Sequence, residues 1–180
     1  MLLKDLLLST EIVDSIGNLE TNITGIAIDS RRVRPGFLFV AVKGTQTDGH
    51  AFVDKAIENG AAALVVCEPV NAPKASAVVR VSDTEKLVGP IATRFYGDPS
   101  HKLRLVGVTG TNGKTTVATV LYQLYRGLGY KVGLVSTVCN YIDDRTVEAT
   151  HTTPDPIELN ALLAEMVEAG CDYAFMECSS

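Results

Sequence analysis

The chain has 180 residues, of which 46% are hydrophobic and 21% are charged, and its formal net charge is −5 at pH 7. This length accommodates one large domain or two small ones, and the apolar content is sufficient for a packed core. The acidic balance argues against a nucleic-acid-binding protein, which usually carries a basic patch. No apolar run is long enough to cross a bilayer, and the leucine-rich start lacks a cleavage site, so no membrane anchor or secretory signal is predicted.

Four cysteines are scattered along the chain, and no pair has the spacing of metal ligands. This usage is typical of reduced thiols in a cytoplasmic protein. A catalytic cysteine stays open as an alternative, although no partner residue can be named for it. The four are Cys67, Cys139, Cys171 and Cys178.

The first unit is predicted to be a small α/β domain that spans residues 1–98, because strand and helix patterns alternate along it. Residues 1–20 are interpreted as a short helix and a loop. A capping box at 82–85 is expected to open the last helix, and Pro90 to kink it. The turn composition of residues 97–100 marks the domain boundary. The predicted strands are 24–29, 37–42, 62–67 and 77–81, and the predicted helices are 51–59 and one that begins near 85.

The second unit, residues 99–180, is predicted to be the first part of a P-loop mononucleotide-binding domain with a mainly parallel sheet. Two helices separate its three main strands, and the second of them is capped by Asp155. The last strand is expected to lie at or near an unprotected sheet edge. The predicted strands are 101–108, 131–138 and 171–176. The first helix is predicted from an apolar stripe at helical spacing, made of Val117, Val120, Leu121, Leu124 and Leu128.

A glycine-rich segment between the first strand and the first helix of this unit has the form of a phosphate-binding loop. Gly110 and Gly113 allow successive backbone N–H groups to point at phosphate oxygens, and the positive end of the helix dipole adds to them. Lys114 is placed to reach the β- and γ-phosphates, and the Thr115 hydroxyl to ligate Mg²⁺. The strict pattern requires glycine where this chain has Val108. The alternative is an ordinary βα turn with a surface lysine. The segment is Gly110, Thr111, Asn112, Gly113, Lys114, Thr115 and Thr116.

Glu177 follows the last predicted strand. Parallel sheets place their ligands at the carboxyl ends of their strands, and the phosphate loop leaves another such end. Glu177 is therefore predicted to be the second anchor for Mg²⁺, directly or through water. The alternative is a solvated glutamate at a strand end.

These segments resemble the Mur ligases, the ATP-dependent amide-bond-forming enzymes of peptidoglycan synthesis. The loop at 110–116 is similar to the ATP loop of the family, and several segments of the first unit are similar to its nucleotide-sugar domain. Two further segments, 151–154 and 176–180, are similar to the family members that act at the third step. The segments of the first unit are 29–31, 35–41, 43–44 and 48–50.

The resemblance implies a role for each matching residue. Lys114 and Glu177 would be catalytic, residues 110–116 would hold ATP, and Thr115 with Glu177 would hold Mg²⁺. The set implied for uridine and its diphosphate is Ile28, Ser30, Thr45, Gln46 and Thr47. The set implied for the muramoyl-peptide arm is His151, Thr152, Thr153 and Ser179. Taken singly, Ser30 can also be a turn residue, Thr152 and Thr153 an extended segment before proline, and Ser179 a helix cap.

The implied reaction adds a diamino acid, meso-diaminopimelate or L-lysine, to UDP-N-acetylmuramoyl-L-alanyl-D-glutamate through an acyl-phosphate. The expected protein is cytoplasmic and monomeric in its full-length form, without a nucleic-acid or membrane partner. A full ligase of this type continues past Ser180, so the 180 residues are expected to be an N-terminal fragment that is inactive alone. Two alternatives stay open: a non-catalytic nucleotide-sugar binding module, and a ligase like folylpolyglutamate synthase.

Overall fold

The computed structural model describes residues 1–44, 47–147 and 154–178. The chain divides into two compact units, Met1–Phe95 and Tyr96–Ser180. Each unit contains a five-stranded sheet with helices packed against it. The predicted α/β class is confirmed. None of the described helices is both long enough and apolar enough to span a membrane.

The sheet of the first unit has the strand order β1-β5-β4-β3-β2. Four of the strands are parallel to one another, and β1 pairs antiparallel with β5 at one edge. The strands are β1 Ile12–Gly17, β2 Gly25–Ala27, β3 Phe37–Val40, β4 Ala63–Val66 and β5 Ala77–Val81, and the helices are α1 Leu3–Leu6, α2 Val53–Glu58 and α3 Glu85–Phe95. Two 3₁₀ turns, Ser30–Arg32 and Gly49–Phe52, follow β2 and β3.

The interpretation of residues 1–20 as a helix and a loop is wrong over β1. Every residue of β1 is exposed, so its sequence shows no buried face for a strand pattern to reveal. The strand exists because it pairs with β5, with Ser15 opposite Val79. By contrast, β3 and β4 are covered on both faces, and their continuous apolar runs identify them correctly.

The predicted capping box at the start of α3 is also wrong in its details. The cap is made by Asp83, whose Oδ1 accepts from the backbone N–H of Lys86 at 3.1 Å. The next residue, Thr84, is buried and donates its hydroxyl to the carbonyl of Ala41 at 2.8 Å. The helix continues through Pro90 to Phe95.

The sheet of the second unit has the strand order β6-β10-β7-β8-β9. The strands β6, β10 and β7 are parallel, and β8 and β9 form an antiparallel hairpin that turns at Asp143 and Asp144. The strands are β6 Arg104–Val108, β7 Val132–Val135, β8 Asn140–Ile142, β9 Arg145–Val147 and β10 Tyr173–Glu177, and the helices are α4 Lys114–Gly127 and α5 Pro156–Glu168.

The last strand, predicted to lie at or near a sheet edge, lies one strand in from the edge. It is inserted between β6 and β7, and the edge strands of the described sheet are β6 and β9. Alternation along β10 separates two cores: Ala174 packs with α5, whereas Phe175 packs with α4. The two helices therefore cover opposite faces of the sheet. Asp155 caps the start of α5, because its Oδ1 accepts from the backbone N–H groups of Ile157 and Glu158 at 2.8 Å.

The helix α4 turns an unexpected face to the sheet. Its buried residues are Ala118 and Tyr122, whereas the apolar residues that predict the helix lie mostly in solvent. Val117, Val120, Leu124 and Leu128 are between 48% and 65% exposed. The periodicity thus identifies the helix correctly, but it does not identify the side that packs on the sheet.

Candidate nucleotide-binding sites

The predicted phosphate loop connects the end of β6 to the start of α4. Gly110 has a φ of 145° and Gly113 a φ of 78°, both in the region that favours glycine. A Cβ at Gly113 would meet no atom within 4 Å, so glycine is required there by the backbone and not by crowding. Residues 109–113 are exposed, and the described chain supplies no side-chain cap to the N-terminus of α4. The first N–H groups of the helix are therefore available to an anion.

Two side chains of the loop are hydrogen-bonded to other groups of the chain. The Lys114 ammonium donates to the carbonyl of Gly110 at 2.7 Å, so it folds back over the loop. The Thr115 hydroxyl donates to Oε2 of Glu177 at 2.8 Å. The structure thus brings Thr115 and Glu177 together although they are 62 residues apart in the chain.

A third group at this place was not predicted from the sequence. The backbone N–H of Thr137 lies 3.3 Å and its hydroxyl 3.2 Å from the same Oε2 of Glu177. Thr137 follows β7, and β7 and β6 pair with β10 on either side. The sequence does contain a feature that could have indicated Thr137, because it is a polar residue near the carboxyl end of a predicted parallel strand.

The environment of Glu177 keeps its carboxylate ionised. Partial burial tends to raise the pKa of this group, but hydrogen bonds from Thr115 and Thr137 and the charge of Lys114 outweigh it and lower the pKa below its ordinary value. A carboxylate beside a hydroxyl is a donor set that suits Mg²⁺, which takes oxygen ligands and usually retains several waters and substrate phosphates. Within the described residues no cluster of three or more acidic, histidine or cysteine side chains could hold a metal by itself.

The first unit has a separate cleft of about 580 Å³ at the carboxyl ends of β2 and β3. Three of the residues predicted for uridine diphosphate, Ile28, Ser30 and Thr47, lie in its wall. Thr45 and Gln46 lie outside the described residues, as do His151, Thr152, Thr153 and Ser179. The complete lining is Ile28, Asp29, Ser30, Arg31, Val42, Thr47, Gly49, Phe52 and Lys55.

The cleft wall includes two cationic side chains that the sequence did not single out. The Arg31 guanidinium pairs with Asp29 at 2.6 Å, and the Lys55 ammonium pairs with Glu58 at 3.1 Å. Phe52, at the end of the second 3₁₀ turn, also lies in the cleft wall and is 42% exposed. An exposed ring and two cations suit a ligand that combines a planar base with anionic phosphates.

Comparison with protein-family models gives two matches. Residues 22–96 match the model described as the Mur ligase family, catalytic domain, and residues 108–180 match the Mur ligase middle domain. The chain belongs to the Mur ligase family. The two matched segments follow the two structural units and contain the cleft and the phosphate loop, respectively.

Individual Mur ligases agree with this assignment. The UDP-N-acetylmuramoyl-L-alanyl-D-glutamate–2,6-diaminopimelate ligase of Bacteroides fragilis is 57% identical over 182 residues, which cover all of this chain and 37% of that protein. A solved structure of a ligase with the same name has a TM-score of 0.76 at 22% identity, and the match covers 99% of this chain and 36% of the other. That structural likeness shows the fold.

A third Mur ligase is a neighbour whose structure contains a nucleotide. The MurF ligase of Thermotoga maritima, solved in complex with ADP, has a TM-score of 0.57 at 28% identity, and the match covers 87% of this chain and 32% of that protein. The chain thus spans a little over a third of the length of the curated Mur ligases that it matches.

Proposed function

We propose that the chain is the UDP-sugar-binding and ATP-binding part of an ATP-dependent ligase of peptidoglycan synthesis. The ligase would add a diamino acid to UDP-N-acetylmuramoyl-L-alanyl-D-glutamate. The observation that carries the proposal is the convergence of Thr115 on Glu177 at 2.8 Å beside an open glycine loop. The name of the relative that is 57% identical favours 2,6-diaminopimelate over L-lysine as the amino acid.

In this proposal the second unit, residues 99–180, holds ATP. The loop at 110–116 would hold the phosphates through its backbone N–H groups and through Lys114, which would leave the carbonyl of Gly110 to do so. Thr115 and the ionised Glu177 would hold Mg²⁺. When bound, ATP supplies the phosphoryl group that turns the poorly electrophilic side-chain carboxylate of the D-glutamate into an acyl-phosphate, which the amine then attacks.

The first unit, residues 1–98, would hold the UDP part of the substrate. Ile28, Ser30 and Thr47 are already in the cleft wall, and the cations of Arg31 and Lys55 supply positive charge for the diphosphate. Thr45 and Gln46 are proposed to complete this set. His151, Thr152, Thr153 and Ser179 are proposed to contact the muramoyl-peptide arm.

The setting of the enzyme is proposed on the same basis. The full-length ligase would be a cytoplasmic monomer that acts on soluble substrates, without a nucleic-acid or membrane partner. The 180 residues alone would not catalyse ligation, because they span 37% of the length of the related ligases. ATP-dependent formation of the tripeptide product by these residues alone would contradict this.

The direct test is binding of ATP in the presence of Mg²⁺ by the chain and by its Lys114→Ala variant, measured by calorimetry. A hydrogen bond between a charged group and phosphate is worth about 1.5–3 kcal/mol, so the variant is expected to bind at least about tenfold more weakly. Lys102→Ala is the matched control, because Lys102 is an exposed lysine of the same unit outside the loop.

The outcomes separate the open alternatives. Equal affinity of the Lys114→Ala variant and the unaltered chain would contradict the ATP site. Binding of UDP without any binding of ATP would favour the alternative of a non-catalytic nucleotide-sugar binding module. Binding of a folate in place of UDP would favour the ligase like folylpolyglutamate synthase.

A further inference from the structure

Residues 43–44 and 47–50, which follow β3 and lead into the second 3₁₀ turn, are called here the cleft loop. Two of its residues, Thr47 and Gly49, lie in the wall of the cleft. A backbone contact closes the base of the loop just after the end of β3, where the N–H of Gly49 donates to the carbonyl of Val42 at 2.8 Å. A second connection joins the loop to a neighbouring strand.

His50 makes that second connection. Its Nδ1 lies 2.6 Å from Oδ1 of Asp48, which also accepts from the backbone N–H of His50 at 2.9 Å. Its Nε2 faces two backbone N–H groups, that of Cys67 at 3.0 Å and that of Glu68 at 3.3 Å. Cys67 and Glu68 follow directly after β4, so the imidazole joins the cleft loop to the neighbouring strand.

The partners of the ring determine its protonation state. Both backbone groups that face Nε2 are N–H donors, so Nε2 must be an acceptor for these contacts to form, and the proton on Nδ1 is donated to Asp48. A proton on Nε2 would oppose these two N–H groups. Only 9% of the His50 side chain is exposed.

Four titratable or charged groups surround this contact. Asp48 accepts at Nδ1, and the Cys67 thiol sulfur lies 3.7 Å from Nε2. The carboxylate of Glu68 pairs with the Lys43 ammonium at 2.6 Å, which is a second link between the cleft loop and the end of β4. That ion pair is half-exposed, so it contributes little by comparison with the shielded imidazole.

We propose that His50 is a positioning residue for the uridine nucleotide. Through the acceptor Nε2, its imidazole ties the cleft loop to the end of β4, and thereby holds Thr47 and Gly49 in the cleft wall. The proposal rests on the proposed function of the cleft. If the proposal holds, nucleotide affinity depends on the acceptor Nε2 of His50, which contacts Cys67, 17 residues further along the chain.

Two substitutions of His50 separate the acceptor from the rest of the side chain. His50→Gln places an amide oxygen near the position of Nε2, whereas His50→Asn keeps a polar group near Nδ1 and removes the acceptor. The probe is uridine 5′-diphosphate, and binding is measured by calorimetry at neutral pH. His101→Asn is the control, because His101 is exposed and lies in the other unit.

We expect His50→Asn to bind the probe about tenfold more weakly, as for the loss of one to two hydrogen bonds, and His50→Gln to bind within about threefold of the unaltered chain.

Equal affinities of the His50→Asn variant and the unaltered chain, or a His50→Gln variant that binds as weakly as His50→Asn, would overturn the proposal. If His50→Asn does not fold, the state of Nε2 in the unaltered chain still decides. Nitrogen-15 NMR of the unaltered chain gives a readout without any ligand: Nε2 should be unprotonated at neutral pH, and a protonated Nε2 would overturn the proposal. Failure of the unaltered chain to bind the probe, with Nε2 unprotonated, would instead contradict the proposed uridine site.

Discussion

In the first unit, the cleft loop is held by hydrogen bonds between the His50 imidazole and the backbone after β4. In the second unit, the groups proposed to bind the ligand hold one another. The Thr115 hydroxyl is bonded to Glu177, and the Lys114 ammonium is bonded to the carbonyl of Gly110. The first arrangement can keep its contacts when a ligand binds, whereas the second must exchange partners.

This difference separates folding from binding in the two units. A change in the contacts that fix the cleft loop should reduce the stability of the first unit together with its affinity for a nucleotide. A change of Lys114 or Glu177 should reduce affinity and leave stability nearly unaltered, because these side chains are only partly buried and bond to groups that water can also satisfy.

The largest expected effect is that of Gly49→Ala. A Cβ at this position would lie 2.8 Å from both the backbone nitrogen and the carbonyl oxygen of Val42, so the backbone must shift. We expect the free energy of unfolding to fall by about 2–3 kcal/mol and UDP binding to be lost with it, as measured by urea unfolding and calorimetry. Gly89→Ala is the control: its Cβ would meet nothing within 4 Å inside α3, so the variant should be stabilised by about 0.5–1 kcal/mol. Gly49→Ala with unaltered stability would contradict the crowded geometry of the loop.

A smaller effect, confined to binding, is expected for Glu177→Gln. Loss of the carboxylate charge should weaken binding of ATP in the presence of Mg²⁺ by about tenfold, the equivalent of about 1.4 kcal/mol, and should leave binding without Mg²⁺ almost unchanged. Titration of Mg²⁺ at fixed ATP measures this directly. Glu168→Gln, an exposed position at the end of α5, is the control. An equal loss of affinity with and without Mg²⁺ would show that Glu177 does not act through the cation.

The smallest effect concerns Asp29 in the cleft wall. Hydrogen bonds from the Arg31 guanidinium hold the pKa of the Asp29 carboxyl below its ordinary value of 3.8. A lowered pKa in the folded state stabilises the fold above pH 3.8, and this contribution is lost as the pH falls further through the folded value. The unaltered chain should therefore be more stable than Asp29→Asn by less than about 1 kcal/mol at neutral pH, with the difference shrinking below pH 3.8. A difference that grows on acidification would have the wrong sign. Acid-dependent urea unfolding of both proteins is the measurement.

Local chemistry and strand direction were enough to predict the glycine-rich turn at 110–116 and the position of Glu177 beside it. Gly110, Gly113 and Lys114 form a contiguous motif, and Glu177 was found because parallel strands end at one edge of a sheet. Thr137 follows the same rule, but a threonine after a strand is common and carries no motif of its own. The residues proposed for the cleft of the first unit came only from the family resemblance, because a single serine such as Ser30 can equally be a turn residue or a ligand-binding residue.

The remaining errors concern tertiary pairing. β1 has no buried face and exists through its pairing with β5, which its own sequence does not encode. The insertion of β10 between β6 and β7 depends on the order of strands in space, which differs from their order in the chain. The stripe of α4 shows that an apolar helix face and a sheet-facing helix face are not always the same, because Ala118 and Tyr122 make the contact with the sheet.

The most direct test of the account is a pair of NMR titrations of the isotope-labelled chain, one with UDP and one with ATP and Mg²⁺. The account predicts two separate sets of shifted amide signals: 28–31 and 47–50 for UDP, and 110–116 with Thr137 and Glu177 for ATP. No shift with either nucleotide, or the same set of shifts with both, would contradict it.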